Sequence, residues 1–157
     1  MTDSAVLPDF HTLKGRTLPD LQVSAERGRL QFFAKVLGLT DPIYSDVEAA
    51  REAGHPDLLI PPTFFFSLEL EREKPYAVLH EYGFDTRQFL HGEQSFDYHR
   101  LAYAGEEFIL SASYTDCYEK KGGALKFIER TTEVTREGTP IARLRNLLVV
   151  RELEGMS

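Results

Sequence analysis

His11, His55, His80, His91 and His99 are the side chains of this chain best suited to exchange protons near neutral pH. His91 and His99 bracket a segment of alternating character, so they flank a predicted core strand. A histidine there could do acid–base work if a cleft lies beside it, and a hydrogen bond at the strand entrance would explain His91 equally well. His55, between Gly54 and Pro56, needs only a turn. Asp41 could move a proton, although an Asp before a proline commonly opens a turn or caps a helix. Tyr44 could donate to a substrate oxygen or pack as a loop aromatic. Thr63 and Phe64 follow Pro61-Pro62. Their backbone N–H groups are expected at the open start of a helix, where a developing oxyanion is favoured unless a neighbouring side chain or water takes the donors. Phe64, Phe65 and Phe66 could line an apolar tunnel or simply form core. The spacings of His and acids do not make a metal motif. Cys117, the sole cysteine, excludes an intramolecular disulfide and zinc-type clusters.

These residues need elements to hold them. Leu30, Phe33, Ala34 and Leu37 follow the i, i+3, i+4, i+7 rule, predicting a helix from near Ser24 to a stop at Gly38. Ser45 and Glu48 have capping-box spacing, predicting a short helix over about residues 46–53 with Gly54 as its end. The segment opening at Phe64 is apolar nearly all round, so it must be enclosed rather than laid on a surface. Pro75 breaks any single long helix beyond it. The second half reads as strands. Gln94, Phe96 and Tyr98 share one side, as do Phe108, Leu110, Ala112 and Tyr114, opposite Ser111, Ser113 and Thr115. Glu137-Gly138 marks a turn between a strand ending near Val134 and another over residues 141–150. Helices followed by three or four long antiparallel strands predict an α+β domain with a buried helix wrapped by a sheet.

The chain has 157 residues, 42% of them hydrophobic and 27% charged, a globular profile expected to form one domain over 1–157 with residues 1–15 as a polar arm. A net charge of -7 offers no basic field for a phosphate backbone, so no nucleic acid partner is expected. The first nine residues lack the basic start and apolar run of a signal peptide, and no stretch is long enough to span a membrane. A cytoplasmic protein without membrane insertion is the expectation.

Four pieces in order resemble the MaoC-like dehydratases, in particular their N-terminal-type domain. They are residues 37–46 (Leu-Gly-Leu-Thr-Asp-Pro-Ile-Tyr-Ser-Asp), residues 61–64 (Pro-Pro-Thr-Phe), residues 91–100 (His-Gly-Glu-Gln-Ser-Phe-Asp-Tyr-His-Arg) and residues 118–123 (Tyr-Glu-Lys-Lys-Gly-Gly). The resemblance runs from about Gly15 to Arg151. It implies a hotdog fold, a long central helix wrapped by a curved antiparallel sheet, and side-by-side pairing of two such domains as a homo- or heterodimer. It implies lyase chemistry of fatty acid metabolism: hydration of trans-2-enoyl thioesters or dehydration of (R)-3-hydroxyacyl thioesters on CoA or acyl carrier protein, without a cofactor or metal. Such a site moves a proton at C2, positions water at C3 and donates hydrogen bonds to the thioester oxygen.

Active members carry Asp and His within a Gly-Asp-x-Asn-Pro-(Ile/Leu)-His-x-Asp run. On this chain the Asp position is Leu39, the Asn position Asp41 and the His position Tyr44, while Gly38, Pro42, Ile43 and Asp46 match. Leucine cannot transfer a proton, and an ordinary tyrosine, with a pKa of about 10, is a poor base near neutrality. The resemblance therefore implies the non-catalytic, acyl-binding half of a two-chain dehydratase or enoyl-CoA hydratase, with Leu39, Thr63, Phe64 and Phe65 against the acyl thioester. Two alternatives stay open: a non-enzymatic acyl-thioester-binding protein, or a hotdog hydratase or thioesterase with relocated groups such as Asp41 and His91. Lys120-Lys121 could meet a CoA phosphate or an acidic carrier, or form a solvated turn.

Overall fold

A computed structural model describes residues 6–153. Helix α1 (Arg27–Leu37) buries Leu30 and Ala34 on one face. It ends where predicted, at Gly38, whose φ of 68° lies in the left-handed region and whose N–H reaches back to the Ala34 and Lys35 carbonyls. It begins later than predicted, because Leu21–Ser24 forms strand β1. Leu21 and Val23 turn inward there, and the strand exists through its pairing with a segment some 85 residues away, Leu21 against Leu110 and Ser24 against Glu107. A short helix, α2 (Val47–Glu52), follows. Its cap is Asp46, not Ser45: one Asp46 oxygen accepts the N–H groups of Glu48 and Ala49 at 2.9 and 3.2 Å.

The enclosed helix is shorter than the family pattern implies. It is split into α3 (Phe64–Glu69) and α4 (Ala77–Glu81), with Pro75 in the break. Around these pieces runs an antiparallel sheet of β1 and four longer strands: β2 (Phe89–Tyr98), β3 (Glu107–Lys120), β4 (Leu125–Arg136) and β5 (Thr139–Arg151). Their order is β1-β3-β4-β5-β2. Phe108, Leu110, Ala112 and Tyr114 face inward as the alternation predicts. Glu137 and Gly138 both have positive φ, 50° and 75°, as a two-residue hairpin turn between right-twisted strands requires.

The core has two lobes. One packs Leu30, Leu58, Phe64, Phe65 and Leu68 against Phe108, Ile141 and Leu144. The other packs Val78 and Leu79 against Tyr114, Ile128 and Leu148, and it includes Phe10 and Leu13. The expectation of an arm is therefore corrected at Phe10–Leu13, which forms a 3-10 turn with both apolar side chains buried; residues 1–5 lie outside the described residues. At the end of α3, the buried Glu69 carboxylate sits 3.3 Å from Arg72 and 3.2 Å from Arg130. Arg72 also donates to the carbonyls of Pro19 (2.6 Å) and Leu110 (2.9 Å), tying α3 to the chain before β1 and to β3.

Candidate functional site

A cleft of about 370 Å³ opens beside the start of α3. Its apolar walls are Leu59, Ile60, Pro62, Phe65, Leu101 and Ala102, and its polar groups come from Tyr44, Tyr98, His99 and Arg100. Three backbone links build it. Ile60 N–H donates to Ala102 O (2.9 Å) and Ala104 N–H to Leu58 O (2.9 Å), laying residues 58–60 against 102–104. Leu59 N–H donates to Ile43 O at 3.1 Å, which brings the 3-10 turn Pro42–Tyr44 to the same wall. That turn is held by Asp41, whose carboxylate accepts the Ile43 N–H at 3.1 Å.

Of the three residues weighed for catalysis, only Tyr44 lines this cleft. Asp41 is exposed and spent on capping the turn. His91 is exposed on β2, its ring 5.4 Å from that of Phe66 and its Nε2 3.1 Å from the Asn146 amide nitrogen. Neither Asp41 nor His91 lines the cleft. Leu39 is half-buried and outside the lining, its N–H closing α1 on Ala34 O at 2.9 Å. Among the phenylalanines, Phe65 forms a wall, whereas Phe64 is core, edge-on to Phe33 at 5.1 Å. Lys120 lies over the rings of Phe127 and Tyr118, 4.9 and 5.6 Å from their centroids, on strands β3 and β4 rather than at the cleft.

The expected open donors at the start of α3 need correction. Thr63 has a left-handed φ of 72° and makes no side-chain cap. Its N–H donates to the Tyr98 Oη at 2.7 Å, and the Phe64 N–H donates to Pro61 O at 3.2 Å. Both donors are already engaged, and α3 is only six residues long. The hydroxyl that takes the first of them is the residue that sequence reasoning missed. Tyr98 stands at the end of β2, stacked on Phe96 at 6.0 Å, and lines the cleft. Burial pushes its pKa above the ordinary tyrosine value, against a smaller opposing effect of the Thr63 N–H. It therefore stays a neutral phenol, with its own hydrogen left to donate. The alternation of Gln94, Phe96 and Tyr98 was the available signal that it shares a strand face with Phe96.

A five-stranded antiparallel sheet in the order β1-β3-β4-β5-β2 around an enclosed helix is an α+β hotdog fold, shared with a MaoC-like dehydratase at a TM-score of 0.77 and 19% identity. Residues 12–144 match the model of the FAS1-like dehydratase domain region, and the chain belongs to that family. A UPF0336 protein of Clavibacter michiganensis subsp. michiganensis is 33% identical over 146 residues, covering 92% of this chain and 97% of the relative. A UPF0336 protein of Saccharopolyspora erythraea is 30% identical over 125 residues, 80% of each chain. The fold is similar to that of the HadBC (3R-hydroxyacyl-ACP dehydratase) complex from Mycobacterium tuberculosis, with a TM-score of 0.71 at 17% identity, covering 87% of this chain and 96% of that one. It is also similar to the ChsH1-ChsH2 complex of the same organism, with a TM-score of 0.69 at 23% identity over 90% and 89% of the two chains. Among the described residues no helix is long and apolar enough to cross a membrane.

Proposed function

We propose that this chain is the acyl-binding subunit of an (R)-specific 3-hydroxyacyl-thioester dehydratase or enoyl-thioester hydratase, and that a second hotdog chain supplies the proton-transfer groups. The observation that carries this reading is the composition of the cleft. It has apolar walls and two tyrosines, one of them Tyr44 at the family's histidine position, and among the described residues no carboxylate lines it. Such a cleft can hold an acyl chain and hydrogen-bond its thioester end, but it lacks the carboxylate of the Asp–His pair that would shuttle the C2 proton. The open side of β2, which among the described residues pairs only with β5, offers the second chain an edge to extend. The two-chain complexes among the similar folds support that assembly.

The test is co-expression with a hotdog chain carrying the complete Asp/His motif, followed by a crotonyl-thioester hydration assay. The isolated chain is expected to stay near background and the pair to turn over. Robust activity of the isolated chain, abolished by His91→Ala or Asp41→Ala, would instead establish a hydratase with relocated groups. Acyl-thioester binding with no turnover in any pairing would leave a binding protein.

A further inference from the structure

We propose that Arg100 is the phosphate-recognition residue of the cleft, meeting the phosphate at the far end of a pantetheine arm whose thioester lies inside. This rests on the reading of the cleft as a thioester site. The chain carries 25 Asp and Glu against 18 Lys and Arg, and its arginines are almost all matched to acids. Ten of the twelve lie within 4.0 Å of a carboxylate. Among the described residues, Arg100 and Arg151 are the arginines for which no such pair forms, and of these two only Arg100 lines the cleft. In so acidic a chain, a guanidinium without a carboxylate within 4.0 Å, at a cleft that no acid lines among the described residues, leaves a local positive field for an anion.

The position is built rather than loose. The His99 and Arg100 N–H groups both donate to the Ile141 carbonyl, at 2.8 and 3.2 Å, which pins the root of the side chain to β5. His99 lines the cleft beside it, and the exposed Leu101 continues the apolar wall. A ligand that fits this order of groups is amphiphilic, with an apolar end against Phe65 and Ile60, amides further out and a phosphate at the rim. A planar guanidinium can meet a phosphate through two parallel hydrogen bonds, which an ammonium cannot. Coenzyme A and the prosthetic arm of an acyl carrier protein share this phosphopantetheine chemistry.

The experiment measures dissociation constants of the full chain, alone and with its catalytic partner, for pantetheine, 4′-phosphopantetheine, coenzyme A and phosphopantetheine-loaded carrier protein. Wild type is compared with Arg100→Gln and Arg100→Lys. Wild type is expected to bind phosphopantetheine about tenfold or more tightly than pantetheine, the scale of a charge-assisted bidentate contact. Arg100→Gln should erase that preference without weakening pantetheine, and Arg100→Lys should keep only part of it. A further gain with coenzyme A identifies the nucleotide carrier, and a further gain with the loaded protein identifies the carrier protein. Equal binding of pantetheine and phosphopantetheine by wild type, or an undiminished preference in Arg100→Gln, overturns the role of Arg100 while leaving the thioester reading intact. Failure of wild type to bind any of the four, with or without the partner, overturns both.

Discussion

Tyr98 is the residue on which the cleft turns. Its oxygen accepts the Thr63 N–H at 2.7 Å, so one residue both closes the start of α3 and lines the cleft. Tyr98→Phe keeps the ring stacked on Phe96 and removes only the oxygen. The variant is expected to lose about 1 kcal/mol of stability, the net worth of one hydrogen bond, read as a lower urea midpoint at constant m-value. Under the proposed function, thioester turnover by the paired chains should fall as well, since a hydroxyl at the cleft is gone. An unchanged midpoint would mean that Thr63 finds another acceptor. Cys117, by contrast, is buried, and burial raises its thiol pKa, so it has the character of an inert core residue rather than a nucleophile.

At the scale of elements, the ends and irregularities of strands do most to shape the site. The register of β2 shifts between His91 and Glu93, at Gly92. A Cβ placed on Gly92 would come within 2.9 Å of Val149 Cγ2 and 3.1 Å of the Leu147 carbonyl. Gly92→Ala should therefore destabilise the β2–β5 pair by about 1–3 kcal/mol, the usual range for overpacking, measurable by thermal or urea unfolding. The Glu69 cluster makes a larger demand. Glu69→Ala leaves the Arg72 and Arg130 guanidiniums without their shared carboxylate in the interior, and about 3–5 kcal/mol should be lost. The entrance to β2 carries a pH signature. Asp85 caps the 3-10 turn Thr86–Gln88, and the Arg87 side chain, then the Arg87 N–H, hold its carboxyl at about 2, below the ordinary 3.8. A depressed carboxyl contributes stability that is fully present above pH 3.8 and lost as pH falls through about 2. Side-chain carboxyl NMR should give a midpoint near 2, moving upward in Arg87→Ala.

Among the described residues, the long strand β2 is unpaired on one side. β2 borders the sheet with Leu90 and Tyr98 about half exposed, an arrangement that invites a second sheet. The chain is expected to form a two-domain species at micromolar concentration, with itself or with a second hotdog chain. Leu90→Lys places a charge on that edge and should shift the species toward monomer in light scattering. An undiminished dimer would move the interface away from β2.

Much of this architecture was legible in local pattern. Gly38 ends α1 because a left-handed residue is cheapest as glycine, Pro75 splits the central helix, and Glu137-Gly138 turns β4 into β5. The alternation from Phe108 to Tyr114 placed its residues on the correct face of β3, since strand periodicity is written into neighbouring residues. Where remote segments meet, that pattern is silent. Leu21–Ser24 is a strand only because β3 lies beside it, and Phe10 and Leu13 are core only because α4 and the sheet cover them. Tyr44 reaches the cleft while Asp41 and His91 do not, although all three read as candidates by residue type. Chemical capacity belongs to a side chain and can be read from its identity. Its use depends on which surfaces fold together around it, and that was decided by pairings across tens of residues that no local spacing encodes.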